Sequence, residues 1–321
     1  MTTWLRTFLL VPLFMMAALS MASAQNCNAQ TTITSPISFS ATNILSGAAI
    51  NTSGTLSIRC TGLLGLTQVC VSFPAGSGGT VGGTRQMTRE GGTEKLQYRL
   101  YQDTARTIPW GSVSDTQLGT VPGNTVLLVL GGGGTATRPI YGQILANQQT
   151  VPAGTYSETI STSINFGTVS ALTGCTGLLT TTVAGPSFRV QAEVGKSCQL
   201  SVPQAVDFGA VSFLSAVRDA EGRLQVRCTS GTPFRVGLGA GSVLGATVNT
   251  RRMSGPGGAS IAYSLFRNAD RTSVWGTATN DLYANSGTGL PLSVQVFGRV
   301  NPQATPPVGL YQDTVVVTLT Y

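Results

Sequence analysis

Hydrophobic and polar residues alternate in short segments along the second half of the chain. A period of two places every other side chain on the same face of an extended strand. Turn-forming residues separate the segments, and none of the segments keeps the 3.6-residue period of an amphipathic helix. The pattern therefore predicts an all-β domain, a β-sandwich of immunoglobulin-like size with little helix. Six segments carry the alternation: 188–194, 224–226, 234–238, 261–265, 292–296 and 315–321.

The first half of the chain repeats the second. Five pairs of segments match in the same order and at similar spacing: 56–61 with 224–229, 98–101 with 263–266, 106–111 with 271–276, 141–144 with 297–300, and 152–159 with 307–314. Such a repeat predicts two copies of one domain with small insertions in the loops. We place the first domain at residues 25–185 and the second at residues 186–321.

The two copies differ at their ends. Phe166 matches Tyr321, the last residue, whereas the first copy continues through residues 178–184, which predict a seventh strand before a break at Gly185 and Pro186. The second sandwich is therefore expected to be incomplete, with six strands and an open edge. Such an edge can accept a strand from another chain. The residues expected to line this acceptor edge are Tyr311, Val315, Val317, Leu319 and Tyr321.

Residues 1–24 have the features of a secretory signal peptide. Arg6 supplies a positive charge, residues 8–19 are mainly apolar, and Ala-Ser-Ala at 22–24 forms a small-residue cleavage site. The apolar run is too short for a membrane-spanning helix. We therefore expect these residues to be removed and the remaining chain to be exported.

Six cysteines remain in the exported chain, and an oxidising compartment favours disulfides. Each copy has one cysteine near its start and a second at a similar distance along the chain, which indicates a pair within each copy. The predicted bridges are Cys27–Cys60, Cys198–Cys228 and, by elimination, Cys70–Cys175. The alternative, a zinc site, needs closely spaced cysteines or histidine, and the sequence has neither.

Enzymatic chemistry is not indicated. The chain has no histidine, and its 12 acidic residues are too dispersed to nominate a catalytic pair. Glu158 and Asp313 match in the repeat and are interpreted as turn or edge charges, and the matching Trp110 and Trp275 as core residues. The net charge of +7 is spread along both copies, which does not favour nucleic-acid binding. We predict no catalytic residue, cofactor or metal site.

The loop after Cys60 contains three leucines among glycines: Leu63, Leu64 and Leu66. Loop residues normally face water, so this composition is unusual. One interpretation is that the leucines cap the end of the core. The other is that they form an exposed apolar loop that adheres to hydrophobic surfaces.

The second copy resembles the spore coat protein U domain, which is also the subunit domain of archaic, Csu-type chaperone–usher pili. The resemblance covers residues 187–321, and the first copy fits more loosely, with Phe39-Ser40 where the second has Phe208-Gly209. The motifs that carry it are FRVQAEV at 188–194 before Cys198, VDFG at 206–209, LQVRCT at 224–229, YSLF at 263–266, VWG at 274–276, VFGR at 296–299 and GLYQDTVVVTLTY at 309–321.

The resemblance implies a six-stranded domain that a chaperone strand completes in the periplasm and a neighbouring subunit's N-terminal extension completes in the fibre. Only Gln25 and Asn26 precede Cys27 in the expected mature chain, so this chain would accept a strand without donating one. The resemblance thus implies a pilus-tip adhesin that mediates surface attachment and biofilm formation. Its implied partners are a periplasmic pilus chaperone, an outer-membrane usher, an adjacent pilin subunit and an abiotic or host surface.

Such a protein would be exported through the periplasm to the cell surface, at the pilus tip, or secreted. A different class of function is also open. The same domain could build a secreted structural coat or matrix protein from two spore coat protein U domains, with no pilus. The two classes differ in their partners, since only the pilus subunit needs a chaperone.

Overall fold

A computed structural model describes residues 26–27, 31–62, 65–129, 133–168, 175 and 181–321. The described chain is all-β, as predicted: it consists of strands, turns and four one-turn 3-10 segments. No helix among these residues has the length and apolarity needed to cross a membrane. The predicted signal peptide lies outside the described residues.

Eleven strands form the first part of the chain. They are β1 (Thr32–Ser35), β2 (Ile37–Thr42), β3 (Ile50–Cys60), β4 (Gly65–Ser72), β5 (Thr80–Val81), β6 (Thr84–Arg89), β7 (Lys95–Tyr101), β8 (Gly123–Leu128), β9 (Gly134–Ile144), β10 (Gly154–Thr168) and β11 (Thr181–Val194). The 15-residue β10 pairs with β4, β6 and β11. It therefore joins the strands β4 and β8 to the strands β6 and β7. Its alternating buried residues face one core.

Eight strands form the second part. They are β12 (Cys198–Gln204), β13 (Arg218–Cys228), β14 (Pro233–Leu238), β15 (Arg251–Ser254), β16 (Ser260–Phe266), β17 (Tyr283–Ser286), β18 (Leu292–Val300) and β19 (Val317–Thr320). One sheet has the order β12-β13-β18-β16-β15, and the other has the order β17-β14-β19. Both sheets contribute side chains to one core, so five of the six alternating segments, all but 188–194, contribute to a two-sheet domain. The immunoglobulin-like identity of the sandwich stays a prediction.

Matching residues of the repeat occupy matching places in the two cores. Trp110 and Trp275 are both fully buried, as predicted. Each indole N–H donates to a backbone carbonyl, that of Val71 at 2.8 Å and that of Val236 at 2.9 Å. These two bonds satisfy the donors that the buried indoles would otherwise leave unpaired.

Three disulfides join the cysteines in the predicted pairs: Cys27–Cys60, Cys70–Cys175 and Cys198–Cys228. Two of them lie at matching positions of the repeat. The third closes a loop with a sequence separation of 105 residues within the first domain. None joins the two domains.

The strand that precedes Cys198 lies in a different domain from the one expected. The sequence assigned residues 188–194 to the second copy, but in the structure they belong to β11, and Phe188, Val190, Ala192 and Val194 are buried in the first core. Of the seventh strand predicted at 178–184, residues 178–180 lie outside the described residues and 181–184 begin β11. A period of two indicates which side of a strand is buried, but it does not indicate in which core.

The predicted boundary between residues 185 and 186 therefore falls inside one continuous strand. β11 pairs with β10 along residues 181–184 and 187–194, on both sides of a register shift. Only residues 195–197 separate β11 from β12. The hydroxyl of Thr229 lies within hydrogen-bonding distance of the carbonyls of Gly195 and Ser197, and this contact ties the short linker to the second domain.

Candidate functional site

An open apolar groove runs along the second domain. Residues 205–212 form one wall and residues 307–317 the other. Two adjoining depressions of about 800 and 290 Å³ make up the groove, and they share Val206, Phe208, Met253 and Tyr311 in their lining. A groove of this length and composition can hold an extended peptide segment.

The same site in the first domain is filled. Strand β11 lies between β10, with which it is antiparallel, and β2, with which it is parallel. Ile37 and Phe39 of β2 are buried there, whereas their counterparts Val206 and Phe208 are only partly buried. The groove is therefore the counterpart, in the second domain, of the space that β11 occupies in the first.

The backbone on both walls of the groove lacks the strand structure that the matching segments of the first domain have. The first domain has strands at 37–42 and 154–161, where β11 provides hydrogen-bonding partners. The corresponding residues of the second domain, 206–211 and 309–316, form no strand beyond an isolated bridge at Gln312. Because the sequences of the walls are alike, we attribute this difference to the missing partner.

Four of the five residues predicted for the acceptor edge pack partly buried against the second core: Tyr311, Val315, Val317 and Leu319. The fifth, Tyr321, is 61% exposed. Tyr311, Val315 and Val317 line the groove, whereas neither Leu319 nor Tyr321 does. Val317 and Leu319 are opposite Leu238 and Val236 on β14, so this part of the edge is paired on one side.

Asp313 is one of the polar residues that line the groove. The Asp313 carboxylate accepts hydrogen bonds from the Tyr263 hydroxyl at 2.6 Å and from both the backbone N–H and the hydroxyl of Ser242. Burial would raise the pKa of Asp313, but the hydrogen bonds from Tyr263, Ser242 and the Thr314 N–H outweigh it and lower the pKa. Burial and the contact with Asp313 raise the pKa of Tyr263. Asp313 is not among the residues that the sequence predicts for the acceptor edge.

The first domain has the same pair in a buried form. Glu158 accepts a hydrogen bond from the hydroxyl of Tyr98 and another from the backbone N–H of Gly78. Glu158 is 2% exposed, so its interpretation as a turn or edge charge was wrong. Burial raises its pKa, and the hydrogen bond from Tyr98 and the nearby Arg85 only partly oppose this effect.

A buried arginine accompanies each pair. Arg85 donates to the carbonyls of Phe73 and Trp110, and Arg251 donates to the matching carbonyls of Leu238 and Trp275, at 2.9 and 2.7 Å. Neither arginine is among the residues predicted to be buried. The signal was present in the repeat, since Thr-Arg-x-Met occurs at both 84–87 and 250–253. A charged residue repeated within a strand pattern suggests a role inside the fold.

The last leucine of the candidate adhesive loop, Leu66, is the second residue of β4. Leu63 and Leu64 lie outside the described residues. Leu66 is 50% exposed and is opposite Leu127, which is 58% exposed, on β8. Val129 is also exposed. Leu66, Leu127 and Val129 thus form an apolar patch on the surface, and the choice between a core cap and an adhesive loop for the three leucines stays a prediction.

The repeated all-β domain with a disulfide in each copy is that of a known family. The Spore Coat Protein U domain model matches residues 13–172 and 185–318, so the chain belongs to the spore coat protein U domain family. Protein U of Myxococcus xanthus is 35% identical over 105 residues, which make up 31% of this chain. The chain spans only 59% of the length of that relative.

The fold is similar to that of solved pilus proteins. One chain of the CsuC–CsuE complex, a chaperone–tip adhesion subunit pre-assembly complex from archaic chaperone-usher Csu pili of Acinetobacter baumannii, superposes with a TM-score of 0.52. It is 17% identical, and the match covers 90% of this chain and 100% of that one. The CupB6 tip adhesin of Pseudomonas aeruginosa gives a TM-score of 0.38 at 13% identity, over 93% and 94% of the two chains.

Proposed function

We propose that the chain is the tip adhesin of an archaic chaperone–usher pilus. In this proposal the groove of the second domain accepts a strand from a periplasmic chaperone, and at the outer-membrane usher this strand is replaced by one from the adjacent pilin subunit. The chain would be exported through the periplasm to the cell surface. The first domain would contact the abiotic or host surface and so promote attachment and biofilm formation.

The observation that carries the proposal is the pair of matching sites, one filled and one open. In the first domain β11 covers the residues that correspond to the groove, and this supports binding of a strand at the matching place in the second domain. The groove also exposes apolar surface around it, including Val308, Leu310 and Phe213. Exposed apolar residues and unpaired strand edges are typical of surfaces that bind a partner.

The position of β11 supports a place at the end of the fibre. By the resemblance, a pilin donates the extension ahead of its first cysteine to a neighbouring subunit. Here the extension ahead of Cys198 is already held in the first core of the same chain by Phe188, Val190, Ala192 and Val194. The second domain therefore cannot donate it to a neighbouring subunit.

The test is coexpression of the full chain with the periplasmic chaperone of a Csu-type pilus. We expect a one-to-one complex in which amide hydrogen exchange slows across residues 309–316. Val315→Glu should prevent the complex because Val315 lines the groove, whereas Val316→Glu should not because Val316 is exposed. A chain that is monomeric and soluble without a chaperone, and that is not bound by one, would contradict the proposal and favour the structural coat protein.

The apolar patch on β4 and β8 supports an adhesive role of the first domain. We propose that Leu66 and Leu127, with the neighbouring Leu63 and Leu64, contact hydrophobic surfaces. Leu66→Ser combined with Leu127→Ser should reduce attachment of piliated cells to polystyrene and leave pilus assembly unchanged. Val81→Ser is the matched control, since Val81 is similarly exposed but lies on β5. Equal attachment of all three strains would contradict this assignment.

A further inference from the structure

The filled site of the first domain has a defined register. Phe188 is opposite Ile160, Val190 is opposite Glu158, and Ala192 is opposite Tyr156. The side chains of β11 at these positions point into the core, where Val190 and Ala192 have no exposed surface. The strand thus presents a large, a medium and a small side chain in turn.

The groove repeats the residues that impose this order of sizes. Identical side chains occupy four pairs of matching positions: Phe39 and Phe208, Met87 and Met253, Tyr98 and Tyr263, Tyr156 and Tyr311. The others are close in size, since Ile37 is replaced by Val206, Ile160 by Val315 and Glu158 by Asp313. Each replacement removes one methylene, so the groove has slightly more room than the filled site.

Tyr156 and its counterpart Tyr311 make the same hydrogen bond in the two domains. The Tyr156 hydroxyl donates to the carbonyl of Pro152 at 2.8 Å, and the Tyr311 hydroxyl donates to the carbonyl of Pro307 at 2.7 Å. In the first domain the residue opposite the tyrosine is Ala192. A side chain much larger than alanine opposite Tyr311 would compete with the ring for the same space.

The acidic residue in the groove does not require a polar partner. Asp313 accepts hydrogen bonds from Tyr263, Ser242 and the N–H of Thr314. In the first domain Glu158 is likewise bonded by its own domain, and the residue opposite it on β11 is aliphatic, Val190. An aliphatic side chain is therefore suited to the position opposite Asp313.

We infer that the groove selects a donor strand with the side-chain order of this chain's own residues 188–192. The strand runs antiparallel to residues 309–316, with an aromatic residue opposite Val315, a β-branched aliphatic residue opposite Asp313 and a small residue opposite Tyr311. This inference rests on the proposed function and specifies its donor. It follows that β11 is a template from which the sequence of the donor can be recognised.

The test attaches a copy of residues 181–194 after Tyr321 of the full chain, through a Gly/Ser linker as long as residues 167–180. Because Tyr321 matches Phe166, this linker has the length of the connection between Phe166 and Thr181 in the first domain. In a second protein the copy carries Phe188→Ala and Ala192→Phe, which keeps the composition and exchanges the two sizes. A third protein has no attached strand. Amide hydrogen exchange across residues 309–316 is the measurement, and exchange in the first domain is the internal reference.

We expect the unchanged copy to slow exchange across residues 309–316 by about tenfold or more, and the exchanged copy to lose most of this protection. Equal protection by the two copies, or better protection by the exchanged copy, would overturn the inferred side-chain order and leave strand acceptance intact. Protection by neither copy would overturn the inferred order. If, in addition, the chaperone does not protect this segment in the coexpressed complex, the proposed function fails as well.

Val315→Phe gives a second test of the same register. The larger side chain should fill the space that the attached Phe188 would occupy, and so reduce protection by the unchanged copy. Phe188→Val in the copy should then restore protection, because the pair then has the same summed volume as the original one with its members exchanged. Absence of this compensation would mean that the two positions are not opposite each other.

Discussion

Ile160 and Phe188 lie opposite each other on antiparallel strands of the first core, whereas Val315, the counterpart of Ile160 in the second domain, lies outside the strands and has no paired residue in the described part of the chain. The two copies thus present one kind of site with and without its strand. Because the residues around the two sites are alike, the differences between the sites show what β11 contributes. It buries the residues beneath it, and the segments on both sides of it form regular strands.

The end of the first domain can be tested with fragments. We expect residues 25–195 to fold as a monomer, because this fragment includes β11, and residues 25–185 to be unfolded or aggregated. The shorter fragment loses four inward-facing side chains of β11, and a single large core residue typically contributes 2–5 kcal/mol. Circular dichroism and size-exclusion chromatography after periplasmic expression would measure the difference.

A point variant separates the loss of burial from the loss of length. In the 25–195 fragment, Val190→Asp should prevent folding because it places an unpaired charge in the core. Gln191→Asp is the control on the exposed face of the same strand. If the fragment 25–185 unfolds cooperatively at the same temperature as 25–195, residues 187–194 are not part of the first domain.

Much of the fold could be predicted from the alternation and the repeat. Residues 224–226, 234–238 and 261–265 lie in the strands expected of them, and matching cysteines indicated the bridges. The domain to which residues 188–194 belong could not be predicted in this way. These residues follow one copy and precede the other, and their alternation is satisfied by burial in either core.

The charged residues inside the domains could not be predicted from the alternation of hydrophobic and polar residues either. Arg85 and Glu158 are charged residues at inward positions of otherwise amphipathic strands, and such residues normally indicate an exposed face. They are accommodated because backbone carbonyls accept two hydrogen bonds from Arg85 Nη2 and the Tyr98 hydroxyl donates one to Glu158. Only their recurrence as Arg251 and Asp313 indicated that they are structural.

The two acidic residues predict opposite effects of pH on the two domains. The pKa of Glu158 is raised above its ordinary value of 4.5, so its contribution to stability is full below about pH 4.5 and is lost as the pH rises through the higher folded-state pKa. The pKa of Asp313 is lowered from 3.8, so its contribution is present above about pH 3.8 and is lost as the pH falls through the lower value.

Domain-resolved hydrogen exchange of the full chain between about pH 3 and 7 would measure these trends. Glu158→Gln should flatten the pH dependence of the first domain only, and Asp313→Asn that of the second only. If Glu158→Gln leaves the pH dependence of the first domain unchanged, the carboxyl does not titrate differently in the folded and unfolded states.

The disulfide between Cys70 and Cys175 should stabilise the first domain alone. Replacing both cysteines with serine opens the largest of the three loops, for which the chain-entropy model gives about 4–5 kcal/mol. We expect a lower unfolding temperature for the first domain and no change in the second. Peptide mapping without reduction provides the check on connectivity, and any disulfide-linked peptide that contains one cysteine from each domain would contradict the assignment.

The last prediction concerns β19, which continues the wall of the groove. Leu319 is partly buried against the second core, and Thr318, its neighbour, is exposed. Leu319→Asp should therefore destabilise the second domain by about 3 kcal/mol or more, because it removes core contacts and places a carboxylate there. Thr318→Asp should change stability by less than about 0.5 kcal/mol.

Both variants can be compared for soluble yield and for capture by the chaperone. Leu319→Asp should lose chaperone capture, and it should also lose the rescue by a strand attached after Tyr321, because a strand can only complete a domain whose core is otherwise formed. Thr318→Asp should retain both. Equal behaviour of the two variants would mean that this strand does not present one face to the core.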